Sequence, residues 1–185
     1  SGGTLSNFSG SGTIYTALFT PTVSSTTTGV VSVASGVFSD AAGNLNSDGA
    51  DANNTLALVV DTVAPTISLS SNKTNLITGD SATLTFTLSE ASTTFTASDI
   101  TVSGGTLSNF AGSGTNYIAT FTPAANSTAN GFVSVATGVF TNAIGNANAD
   151  GSEANNSVIL AVDTVVPTIS LSTSKTSLIS GDSAT

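Results

Sequence analysis

The chain has 185 residues, 39% of them hydrophobic, which is enough to build a core and too much for a wholly disordered segment. Only 7% are charged, and Lys73 and Lys175 are the sole cations against eleven carboxylates, a formal net charge of −9. That balance excludes nucleic-acid partners, which need clustered Lys and Arg. The absence of His and Cys removes the Ser-His-Asp triad, thiol nucleophiles, imidazole bases and the usual zinc and iron ligands, so an enzyme is not expected. No apolar run reaches the roughly 20 residues of a membrane span, so no membrane insertion is expected. The first residues also lack the charged and apolar pattern of a signal segment.

Internal repetition organises the chain. Ser1-Gly-Gly-Thr-Leu-Ser-Asn-Phe8 returns unchanged at Ser103–Phe110, an offset of 102 residues, and the register holds from Tyr15/Tyr117 through Phe38/Phe140 and Asp61/Asp163 to Asp80/Asp182. A unit of this size is that of an autonomous domain, well above the 20–50 residues of solenoid repeats. With a unit starting after each Val-Asp-Thr, the expected divisions are 1–62, the C-terminal part of one repeat, 63–164, a complete repeat, and 165–185, the N-terminal part of the next. Half-cores at both ends would be an aggregation hazard, so the chain is expected to be a window on a longer repetitive polymer.

Within the complete copy the apolar period is two. In chain order, strands are expected at Thr66–Ser70, Ala82–Leu88, Asp99–Ser103, Tyr117–Thr122, Gly131–Ala136 and Ser157–Val162. Ala82, Leu84, Phe86 and Leu88 alternate with Thr, whose β-branch suits an extended backbone while its hydroxyl faces water. Thr78-Gly-Asp80, Ala111-Gly-Ser-Gly114 and Asn130-Gly131 punctuate them as turns. No segment carries a helical stripe. The expected fold class is all-β, tandem immunoglobulin-like β-sandwiches of about seven strands per 102-residue repeat. Alternating strand directions would place Ser89-Glu90-Ala91, as a loop, and the long loop 141–156 at the same pole as the linker Val60-Asp61-Thr62-Val63-Ala64-Pro65. Pro65 stiffens that linker by fixing its own φ and holding Ala64 extended.

The linker Val60–Thr66, with Phe86-Thr-Leu-Ser-Glu90, Phe95–Gly105, Tyr117-Ile-Ala-Thr-Phe-Thr-Pro123 and Gly138-Val-Phe-Thr-Asn-Ala-Ile-Gly-Asn146, resembles the bacterial immunoglobulin-like repeats of giant surface adhesins, over the whole chain. The resemblance implies extender domains of biofilm-associated or RTX-type adhesins, located on the bacterial cell surface, often with Ca2+ rigidifying the joints.

Two calcium constellations follow. Asn146-x-Asn148-x-Asp150-Gly151, matched by Asn44-x-Asn46-x-Asp48-Gly49, opens like a calcium loop in which three side chains converge. It lacks the bidentate acid six residues beyond the Gly, where Ser157 and Thr55 stand, although Glu153 and Asp51 are close. Asn, Asp and Gly are also what long surface turns contain. The second constellation is the joint, where Asp61, Glu90, Asp99, Asn142 and Asn146 are expected to meet around one ion. Asp40 takes the place of Asn142 in the first copy, so neighbouring joints would differ in charge. The Asn-x-Ser/Thr triplets at Asn7, Asn53, Asn72, Asn126 and Asn155 are what this composition produces by chance. The Tyr and Phe residues fall mostly at strand positions and read as core.

The expected function is mechanical, a spacer whose partners are the neighbouring repeats of its own polypeptide. The alternatives are a segment of a self-assembling extracellular fibre or sheath, in which copies touch laterally, and a carbohydrate- or host-binding module. The last calls for an exposed aromatic patch or a large concave pocket.

Overall fold

In a computed structural model that describes residues 1–47, 52–150 and 154–185, the chain is all-β with three short 3-10 turns. No helix among the described residues is long and apolar enough to cross a membrane. The first copy contributes β1 (Gly3–Ser11), β2 (Ile14–Pro21), β3 (Gly29–Ser32) and β4 (Thr55–Leu58). The second contributes β5 (Ile67–Ser71), β6 (Asn75–Ile77), β7 (Ala82–Ser92), β8 (Ile100–Ser103), β9 (Gly105–Pro123), β10 (Gly131–Val135) and β11 (Ser157–Asp163).

The second copy is a two-sheet sandwich. One sheet has the order β6-β11-β10-β8 and the other β5-β7-β9. All pairings are antiparallel except that of β6 with β11, which is parallel. Ala82, Leu84, Phe86 and Leu88 of β7 face inward, as the period-two pattern predicts. Their partners across the ladder are inward too: Ala82 lies opposite Phe121, Leu84 opposite Ala119 and Phe86 opposite Tyr117. In the first two pairs a large residue opposes a small one, and in the third two aromatic rings meet, so that the inward face is filled along its length. Val133, Val135, Leu160, Val162 and Leu76 close the core from the other sheet. Phe95 sits at the centre of an aromatic cluster, with the rings of Phe86, Phe110, Tyr117 and Phe140 at centroid distances of 5.1–5.7 Å.

Two elements depart from the expected strand list. The first is β6, where the chain leaves the sheet of β5 and joins the opposite one. The second is β9. Its 19 residues would span about 60 Å if straight, yet Gly105 lies against Thr122, and Asn109 Nδ2 donates to Thr120 Oγ1 at 3.4 Å. β9 therefore folds back on itself, with Gly112 and Gly114 at positive φ in the bend. The predicted turn at 111–114 lies within this continuous strand, and the first copy splits the same segment into β1 and β2.

The two copies differ sharply in packing. Phe140 is 1% exposed and its counterpart Phe38 is 60% exposed; Tyr117 and Tyr15 stand at 5% and 54%. The covering residues of the second copy, those of β5, β6, β7 and Phe95, have no counterpart within 1–62. Residues 165–185 form no strand. They nevertheless keep the local turn seen at 71–83: Lys175 pairs with Asp182 at 3.0 Å as Lys73 does with Asp80 at 2.7 Å, and Asp182 N–H reaches Ile179 O as Asp80 N–H reaches Ile77 O.

Candidate functional site

The linker between the copies is held on both sides. On the first copy, Thr62 Oγ1 donates to Thr22 O at 2.7 Å and accepts from Ser25 N–H at 3.0 Å, while Thr62 N–H reaches Ser25 O at 2.9 Å. Thr164 repeats the arrangement with Ala124 and Ser127, and its carbonyl accepts from Thr78 Oγ1 at 2.8 Å. This latch is not expected from the sequence, where both threonines read as the end of Val-Asp-Thr at a repeat boundary. Its signal was the unchanged Val-Asp-Thr at the end of each repeat.

On the second copy, Ala149 N–H donates to Pro65 O at 3.0 Å, Ser89 N–H to Thr66 O at 2.9 Å, and Thr66 N–H to Ser89 Oγ at 2.8 Å. Ser89, Glu90 and Ala91 belong to β7 rather than to a loop, within the stretch where the β7–β9 register shifts. Glu90 keeps the inward phase of the strand, two residues after buried Leu88 and two before buried Ser92. Here Glu90, half-buried, accepts from Asn142 Nδ2 at 2.8 Å through Oε2. Asn142 Oδ1 takes the N–H groups of Ile144, Gly145 and Asn146 at 3.2, 3.0 and 2.8 Å, and Asn146 Nδ2 reaches Asp61 O at 3.1 Å. Asp61, Glu90, Asn142 and Asn146 are thereby linked in one chain of hydrogen bonds.

Asp99 belongs to a different construction. Its Oδ2 accepts from Thr96 N–H at 2.7 Å and Thr96 Oγ1 at 3.0 Å, capping the 3-10 turn Ala97–Asp99 that leads into β8. The Asn146, Asn148 and Asp150 side chains are directed at three different partners and do not converge as a calcium loop's do. Asn148, buried, spends Oδ1 on Val139 and Phe140 N–H at 2.8 and 3.1 Å and Nδ2 on Ala136 O at 2.9 Å. Asn46 makes the same three bonds to Val37, Phe38 and Ala34. Asp150 is 5% exposed, with Oδ1 accepting from Ile67 N–H at 2.8 Å at the start of β5 and Oδ2 buried without a partner. Asp48, Asp51, Glu153 and the two motif glycines lie outside the described residues.

In the first copy, Asp40 Oδ1 accepts from Ala42 and Asn44 N–H, each at 2.9 Å, and Oδ2 from Asn44 Nδ2 at 2.9 Å. The Asn44 side chain foremost, then the turn's N–H groups, hold the Asp40 carboxyl below its ordinary range.

A family model described as bacterial Ig-like domain matches residues 1–57 and 61–159. The chain belongs to the bacterial Ig-like domain family. No curated protein and no solved structure matches it. In this Ig-like chain the aromatic residues of the second copy are core, Phe132 being the one exposed aromatic among its described residues.

Calcium, which the adhesin resemblance implies, finds only part of a site. The orphaned Oδ2 of Asp150 suits a cation, because a buried carboxylate oxygen without a donor is costly. The joint network does not suit one, since the Asn142 amide already donates to Glu90. Among the described residues no three acidic, His or Cys side chains gather at metal-binding distance.

Proposed function

We propose that this chain is an extender of a bacterial cell-surface adhesin: tandem Ig-like modules that supply length outside the cell and carry a distal binding region. The observation that carries the reading is the linker. A flexible tether between independent domains would leave its backbone to water, whereas Asp61 is hydrogen-bonded to the second module and the next residue, Thr62, to the first, with Pro65 and Thr66 anchoring the start of the second module on its own strands. A held linker transmits orientation from one copy to the next. The hydroxyl-rich strand faces and net negative charge favour copies that stay apart from neighbouring molecules.

The test is an array series of one to four 102-residue copies studied by small-angle scattering. Each added copy is expected to lengthen the particle by about 40 Å, the span of strands of 8 to 10 residues with their loops, at a mass independent of concentration. Lateral association into multi-chain particles would instead identify a fibre or sheath segment.

A further inference from the structure

We infer that the joint between the two copies is closed by an amide in place of a cation, and that the residue at position 142 decides between the two. The argument begins with the orientation of Asn142. Its Oδ1 faces three backbone N–H groups, all donors, so its NH2 must point the other way. There it meets Glu90 Oε2 at 2.8 Å, in a setting where Asn142 is buried and Glu90 half-buried. The carboxylate that would otherwise call for a counter-charge is satisfied by a neutral donor.

The first copy shows the alternative residue in the same turn. Asp40 binds the turn's N–H groups through Oδ1 as Asn142 does, so an acid and an amide serve the turn equally. The difference lies in the second atom. Asp40 Oδ2 is an acceptor and captures Asn44 Nδ2, keeping that amide inside its own loop. Asn142 offers no second acceptor, and Asn146 Nδ2 reaches Asp61 O in the linker, whereas Asp40 and Asn44 have no counterpart of Glu90 or Asp61 within this chain. In the second copy, where those partners are present, the Asn142 amide supplies the donor that Glu90 accepts.

An aspartate at 142 would undo both contacts. Its second oxygen would stand where Nδ2 now does, at hydrogen-bond distance from Glu90 Oε2, and two carboxylates so placed cannot both remain ionised without a cation or a proton between them. Asn146 would be drawn back to residue 142. A calcium-requiring joint and a calcium-independent one therefore differ by Asp or Asn at this position, and this chain carries the independent form.

The experiment uses the 1–185 chain at neutral pH with Asp150→Asn in every protein, so that the orphaned carboxylate oxygen at 150 takes no cation, and records thermal unfolding in chelator and in millimolar calcium. With Asn kept at 142, this chain is expected to melt at the same temperature, within about 1 °C, in both. Asn142→Asp is expected to melt about 5 °C lower or more in chelator and to recover with calcium. Glu90→Gln combined with Asn142→Asp removes the repulsion, and is expected to fold without calcium and ignore it. That double variant keeps the test decisive where the single one fails to fold in chelator. A midpoint that rises several degrees with calcium while Asn stands at 142 overturns the inference, as does an Asn142→Asp variant indifferent to calcium. The inference rests on the extender reading only for what a stiff joint is used for. A calcium result of either kind leaves the growth of array length unaffected, so the two readings fail separately.

Discussion

The repeat supplies its own control for the energetics of the core. Phe140 and Phe38 occupy the same position 102 residues apart, at 1% and 60% exposure. Phe140→Ala removes a ring that touches Phe95 at a centroid distance of 5.3 Å and leaves a cavity between two sheets. Phe-to-Ala changes in such settings cost about 3–5 kcal/mol. The lost aromatic contact accounts for about 0.5–1.5 kcal/mol of that, and the lost burial of apolar area for most of the rest. For a domain of this size the midpoint should fall by about 15–30 °C. Phe38→Ala, at an exposed site, should change stability by about 0.5 kcal/mol or less. Urea and thermal unfolding followed by far-UV circular dichroism measure both on the same chain. Equal losses from the two substitutions would refute the reasoning, because they would mean that residue 38 is as fully covered as residue 140.

Gly131→Ala should destabilise the second copy by about 1–3 kcal/mol through overpacking, read as a lowered urea midpoint at unchanged slope. A Cβ there would stand 2.5 Å from Phe121 Cζ and 3.4 Å from Leu160 Cβ, and the Phe121 ring is held on its other side by Gly105. Acid should weaken the fold by way of Asp80, whose carboxyl is held below its ordinary range by the Lys73 hydrogen bond first and by Ile77 N–H second. A depressed carboxyl stabilises the folded state above its unfolded-state value, and that contribution is lost as pH falls through the folded value. Melting measured from neutral to strongly acidic pH should show a downward slope below the ordinary carboxylate range that Asp80→Asn makes shallower.

What could be read in advance depended on how many residues each element commits to the core. Seven residues of alternating pattern in β7 make a strand legible, whereas β6 has three residues and a single inward side chain, Leu76, too few for any period. Its partner β11 is a parallel strand far along the chain, so no hairpin signal marks it. The first arm of β9 hid for another reason. Leu107 and Phe110 both pack on the core but are three apart, because Asn109 with φ of 52° interrupts the alternation. The matching irregularity in the first copy falls between Ser6 and Ser9, around Asn7. The side chains of Asn146, Asn148 and Asp150 diverge on the same principle in reverse. Alternate residues share a face only where a pleat exists, and in the irregular stretch 142–150 each side chain follows its own backbone to a separate partner.

Comparison of the two copies separates scaffold from surface without any other sequence. Most positions that face the core are the same residue in both: Tyr15 and Tyr117, Ala17 and Ala119, Phe19 and Phe121, Val31 and Val133, Phe38 and Phe140, Leu58 and Leu160, while the half-buried Val158 answers to another aliphatic residue, Leu56. The buried polar supports Asn46/Asn148 and Thr62/Thr164 are also unchanged. Outward strand positions differ freely, with Leu18 against Thr120, Val30 against Phe132 and Ala57 against Ile159. Such a division follows from physics, since a core side chain must fit several neighbours at once and an outward one only water. Position 40/142 breaks the rule: Asn142 is buried and yet differs between copies. A buried site that changes while its backbone turn is retained is one where both residues satisfy the turn and the choice is felt elsewhere. In this chain the place where it is felt is the contact with Glu90 and the linker.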